Sequence, residues 1–219
     1  MHRLVKVIYI FAFLASFECE DDEKYFSGYT SKHFFFVVHR QKHFSLDHVN
    51  VSTIGEGTIS DIPSMESLMM YGLHIKKIEP GAFQNLPLLK SLTVMECYIS
   101  RIDVGVFNNL NITELTIKEN NRPLSIAAGA FDNMASLQQI RLDRVQLSTW
   151  NPQWFVNTPQ LKEIYACYNQ LREIPENAFQ NVNTDNEMTI NFAIGQIRKI
   201  HDDAFRGIRK IKLLSLQQT

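Results

Sequence analysis

The side chains of this chain that could do covalent or metal chemistry are few and scattered. Its three cysteines, Cys19, Cys97 and Cys167, are an odd number. In an oxidising compartment at least one of them stays free or pairs with another chain. Four of the seven histidines gather as His33, His39, His43 and His48. That spacing matches no closed zinc pattern and no cysteine lies among them, so no metal site is expected. There is no G-x-S-x-G, no H-E-x-x-H and no glycine-rich phosphate loop, and Gly55-x-Gly57 is not followed by a helical pattern. The expectation is a protein that is not an enzyme and carries no cofactor. Asn50-Val51-Ser52 and Asn111-Ile112-Thr113 are acceptable N-glycosylation sequons, whereas Asn157-Thr158 is followed by Pro159. What remains is recognition chemistry, and Arg141, Arg144, Tyr165 and Tyr168 are of the residue types that anchor protein interfaces.

Composition narrows the partners. With 45% hydrophobic and 21% charged residues the chain is globular, and its 219 residues suffice for a sizeable core. Its 22 Lys and Arg against 23 Asp and Glu leave a formal charge of -1, so nothing attracts nucleic acid or an anionic membrane over distance. Arg3 and Lys6 precede the apolar run 7–15, after which Glu18, Glu20, Asp21 and Asp22 reverse the polarity. This reads as a secretory signal peptide over residues 1–18. The run is shorter than the roughly 20 apolar residues of a spanning helix. The expected protein is secreted, extracellular and not inserted in a membrane.

The elements that must position these side chains announce themselves by repetition. Phe83, Phe107, Phe131, Phe155 and Phe179 lie 24 residues apart, and Phe205 follows after 26. Such a period marks a solenoid. Between the phenylalanines runs Leu89-x-x-Leu92-x-Val94-x-x-Cys97-x-Ile99-x-x-Ile102, and the same frame returns from Leu137 and from Leu161. Apolar residues flanking one variable residue are a short strand with one face buried. Asn120 and Asn169 occupy the position that Cys97 fills, where a side chain can satisfy backbone groups of the turn. Polar insertions at 121–123 and 183–186 are expected to be loops.

The frame resembles the leucine-rich repeat, whose signature is L-x-x-L-x-L-x-x-N/C-x-L. With a phenylalanine on the return side it is similar to Toll-type ectodomains and to insect secreted leucine-rich-repeat immune proteins. The resemblance implies an α/β-type solenoid, a horseshoe of about six or seven 24-residue coils with a parallel concave sheet and an irregular convex side. It covers residues 62–219. Residues 19–61, with the apolar run 34–38 and Val49-x-Val51, are expected to form an N-terminal cap of two strands. The repeats lack a C-terminal cap, since Ile211-x-x-Leu214-x-Leu216 only begins a further strand. Either the chain is a piece of a longer one, or another polypeptide covers that edge, for instance a second copy in a dimer.

Within this frame the variable strand positions face the concave surface. The candidate contact residues are Tyr71, Met95, Lys118, Arg141, Arg144, Tyr165 and Tyr168. Cys97 points inward, while Cys167 is expected on the concave surface, either in an intermolecular disulfide or as an idle thiol. The two sit about 14 Å apart at the usual strand spacing, too far to pair. Asn111 falls in an exposed loop suited to a glycan, with Asn50 the second acceptor. The resemblance implies a secreted binding module for a protein or pathogen-derived ligand in innate immunity. The alternative is a truncated ectodomain of a membrane receptor or adhesion protein.

Overall fold

A computed structural model describes residues 23–26, 42–47, 50–108 and 110–217. Its centre is a nine-stranded parallel sheet whose strands follow one another in chain order: β1 (Glu23–Phe26), β2 (His43–Asp47), β3 (Ser67–Tyr71), β4 (Ser91–Met95), β5 (Glu114–Lys118), β6 (Gln139–Asp143), β7 (Glu163–Tyr165), β8 (Met188–Asn191) and β9 (Ile211–Ser215). Strands β2 to β8 turn alternate side chains to the core. Leu68 and Met70, Leu92 and Val94, Leu115 and Ile117, and Ile140 and Leu142 are all buried, and each pair stacks on its counterparts in the coils either side. No coil encloses a core alone, and burial is completed only by its neighbours.

The register runs His43, Ser67, Ser91, Glu114, Gln139, Glu163, Thr189 across the sheet. A step one residue short before Glu114 is offset by one residue extra before Gln139. The surplus falls in the loop expected at 121–123, so the phenylalanine interval stays even. The two-residue insertion before Thr189 likewise lies in non-strand structure at 183–186.

The coils start earlier than residue 62. Phe44 and Leu46 are buried in β2, which pairs with β3 in the same register as later strands, and Ile59 aligns with Phe83. Within the segment expected as a cap, residues 43–47, 53–54 and 59–60 therefore already stand in register with the coil that follows, Ile54 with Ile78. Phe44 and Ile59 stand where the signature has Leu and Phe. The signal-peptide segment 1–18, the run 34–38 and Val49 lie outside the described residues.

The return side has no helix among the described residues. Two-residue strands build it, with Thr53–Ile54, Lys77–Ile78, Arg101–Ile102 and Ser125–Ile126 joined in one four-stranded sheet. A coil of 24 residues leaves about a dozen for the return, too few for a helix with its two connections. The solenoid is a parallel-strand one, as expected, and among the described residues its convex side carries short strands and turns.

Phe107, Phe131, Phe155 and Phe179 are fully buried in one file, stacked in pairs at 6.1 Å (Phe83 with Phe107), 5.7 Å (Phe131 with Phe155) and 5.5 Å (Phe179 with Phe205). Between Phe155 and Phe179 the ring of Trp150 lies 6.1 Å from the first and 5.3 Å from the second. The backbone changes there too. Gly57, Gly81, Gly105 and Gly129 take left-handed φ two residues before their spine position, but Gln153 stands at the fifth such place and Phe155 itself adopts φ 70°.

Candidate recognition surface

Two cross-strand rows line the concave face. Tyr71, Met95, Lys118 and Asp143 form one, and Thr116, Arg141, Tyr165 and Asn191 the other. Five of the seven expected contact residues therefore lie on the strands, half-buried, with Tyr71, Met95 and Lys118 in the first row and Arg141 and Tyr165 in the second.

Arg144 and Tyr168 lie elsewhere. Each follows its strand and occupies the turn that leaves the sheet, with φ 54° and 58°. Gly72, Glu96, Glu119 and Ile194 hold the same left-handed place in their coils. These six residues mark one edge of the concave face rather than its floor. The frame counted Arg144 and Tyr168 among the concave positions, but the turn of the backbone carries them to its edge.

The coils bring these side chains into pairs. The Arg141 guanidinium lies 4.0 Å from the centre of the Tyr165 ring, and that of Arg144 lies 4.2 Å from Tyr168. Two residues that the frame places on the concave face, but outside the expected contact set, complete the first pair. Arg141 Nη1 donates to Asp143 Oδ2 at 2.8 Å, and the Tyr165 hydroxyl donates to Glu163 Oε2 at 2.9 Å. The other oxygen of Asp143 accepts the Cys167 N–H at 2.7 Å, which ties one coil to the next. The signal for both was present as i, i+2 pairs of opposite character, Arg141 with Asp143 and Glu163 with Tyr165. Burial, followed by the bond to Glu163, raises the Tyr165 phenol above its ordinary pKa, and the bond to Glu96 raises that of Tyr71. Both remain neutral donors at physiological pH.

Cys167 is not on the surface. It is only 9% exposed, its Sγ faces the Asn191 carbonyl at 3.7 Å, and burial pushes its thiol up to about 11. A thiol so enclosed is poorly placed for an intermolecular disulfide. Cys97 is buried as expected, also pushed up to about 11 by desolvation, with its Sγ 3.4 Å from the Met95 carbonyl. Asn120 and Asn169 use their whole amides in the turns. Asn120 accepts from Ile99 N–H at 3.0 Å and donates to the Ile99 and Arg122 carbonyls at 2.7 and 2.6 Å. Asn169 accepts from the Val145 and Leu147 N–H groups at 3.2 and 3.1 Å and donates to the Leu142 carbonyl at 2.7 Å.

Asn50 and Asn111 are exposed, and Asn111 Oδ1 accepts from the Ser136 hydroxyl. His43 Nδ1 lies 2.8 Å from Ser67 Oγ, and His33, His39 and His48 lie outside the described residues. Among the described residues no three of His, Cys, Asp and Glu are grouped to hold a metal. A cleft of about 510 Å³ opens beyond the phenylalanine file, lined in part by Val156, Asn157, Val182 and Arg209. Its cation is taken, since Arg209 bonds Asp185 and Asn183.

No curated protein matches this chain. Among solved structures it is similar to TLR13 in the crystal structure of a TLR13–ssRNA13 complex, with a TM-score of 0.71 at 17% identity over 81% of this chain. That is a likeness of fold, and this chain spans only 24% of the TLR13 chain's length. A family model described as the BspA type leucine rich repeat region matches residues 29–125 and 100–219, in six copies. With the 24-residue coils, the inward Leu, Ile and Val ladder and the Asn-closed turns in place, the chain belongs to the BspA-type leucine-rich-repeat family.

Proposed function

We propose that this chain is a secreted binding module that recognises another protein or a pathogen-derived ligand with its concave face, in an innate-immune setting. One observation carries the reading: adjacent coils present two cation–aromatic pairs, Arg141 on Tyr165 and Arg144 on Tyr168. Arg and Tyr dominate interface hot spots, and a stacked pair is worth about 0.5–2 kcal/mol while holding two long side chains in place. Such a patch needs less ordering when a ligand arrives.

The RNA in the solved structure is the ligand of TLR13. This chain has a formal charge of -1, and Glu114, Asp143 and Glu163 stand among Lys118 and Arg141 on the concave strands. That face has no continuous cationic track for a phosphate backbone, so the proposed ligand is a protein. Among the described residues no helix is long and apolar enough to cross a membrane. The signal-like segment 1–18 supports secretion, and the exposed acceptors Asn50 and Asn111 suit passage through the secretory route. The alternative role, part of a receptor or adhesion ectodomain, would use the same surface.

The test begins with the chain secreted from cultured cells, where endoglycosidase should lower its mass. Affinity capture from the native fluid then identifies a partner. Joint replacement of Arg141 and Tyr165 by Ala should abolish capture while circular dichroism shows the fold intact. Undiminished capture by the folded double variant would rule out the concave site.

A further inference from the structure

Arg141 and Arg144 are alike in type and unlike in electrostatics. Arg141 is neutralised by Asp143, which is itself only 14% exposed and held by a backbone N–H. Arg144 stacks on Tyr168 and has no carboxylate at ion-pair distance among the described residues. A guanidinium lying on an aromatic face keeps its in-plane N–H groups free, and that fork matches a carboxylate bidentately. The support beneath it is fixed. Arg144 N–H donates to the Cys167 carbonyl at 3.0 Å and Tyr168 N–H to the Ala193 carbonyl at 3.1 Å, so both residues ride on the ladder between coils.

The surroundings decide which anion fits. Glu96 and Glu119 hold the same turn position in the two preceding coils, and Asp143 and Glu163 lie on the adjoining strands. A surface on which Arg144 and Lys118 lack an ion pair among the described residues, while four carboxylates stand beside them, can take an isolated negative charge. It opposes a chain of phosphates, which needs several cations in line. Resting on the binding role proposed above, we infer that Arg144, seated on Tyr168, is the specificity residue of this surface. Its ligand is an extended protein segment presenting a single aspartate or glutamate side chain.

Short random peptides displayed on phage, panned against the full chain, test this. Selected peptides should share one acidic position. For a synthetic peptide carrying that consensus, Arg144→Gln should weaken Kd about tenfold or more, and Arg144→Lys nearly as much, because lysine cannot make two parallel bonds. Tyr168→Phe keeps the ring and should bind within about twofold. Changing the acidic residue of the peptide to its amide should harm binding to the wild-type chain and leave binding to the Arg144→Gln variant unaltered, as a double-mutant cycle requires. Peptides that bind without acidic preference, or keep it against Arg144→Gln, overturn the carboxylate assignment while the binding surface stands. Selection of no peptide at all removes both. Poly-uridylate binding that Arg144→Gln abolishes, with no peptide bound, overturns the assignment in favour of a polyanion.

Discussion

At the residue scale, the amides of Asn120 and Asn169 and the hydrogen of Gly207 are the positions where one atom decides. Asn169→Ala leaves the Val145 and Leu147 N–H groups and the Leu142 carbonyl unpaired in a buried turn. A loss of about 2–4 kcal/mol in chemical denaturation is expected. Gly207 has φ +101°, and a Cβ there would stand 2.3 Å from the Phe179 carbonyl oxygen. Gly207→Ala should therefore lower the melting temperature by several degrees, since both strain and overlap oppose it. The two buried thiols add a pH dependence. Each is raised from 9.0 to about 11, so the folded state holds protons that the unfolded chain releases, and stability falls as pH climbs from about 9 through about 11. Replacing both cysteines by Ala should flatten that limb of a pH–stability profile. Asn at the turn was readable from the signature alone, because its amide is chosen for a fixed backbone geometry. The burial of Cys167 was not, because it depends on how Asp143 and Asn191 of neighbouring coils close over it.

At the scale of the coil, two rows of left-handed residues carry the turns. Six coils leave the sheet through Gly72, Glu96, Glu119, Arg144, Tyr168 and Ile194. Only one is glycine, and a β-branched residue at φ 57° is the most strained of them. Ile194 is 40% exposed, so Ile194→Asn should raise stability by about 0.5–1 kcal/mol in thermal melts without disturbing the core. The phenylalanine file was legible from its even interval, as was the extra residue at 121–123 from its polarity. The insertion of Trp150 between Phe155 and Phe179 was not legible. Trp150 sits where other coils place Ile, and only the packing shows its indole N–H donating to the Ala178 carbonyl at 3.0 Å.

At the scale of the whole molecule, a solenoid is held by contacts between neighbours, so its stability grades from centre to ends. Strands β3 to β7 are flanked on both sides and have alternate side chains fully buried, whereas in β9 Ile211 and Leu213 are 47% and 51% exposed. Hydrogen exchange should protect the amides of β4 to β6 most and release those of β9 first.

From the sequence alone came the repeating coil, the inward ladder, the phenylalanine file and the choice of variable strand positions. All follow from a period, since residues one coil apart meet the same environment whatever the rest of the chain does. Only the tertiary structure decided that the coils begin by His43 and that Arg144 and Tyr168 stand at an edge. It alone paired Arg141 with Asp143 and left Arg144 without an ion pair among the described residues. These outcomes rest on backbone turns and side-chain placement across coils, where local register, burial and a neighbour's charge choose among arrangements that one repeat pattern equally permits.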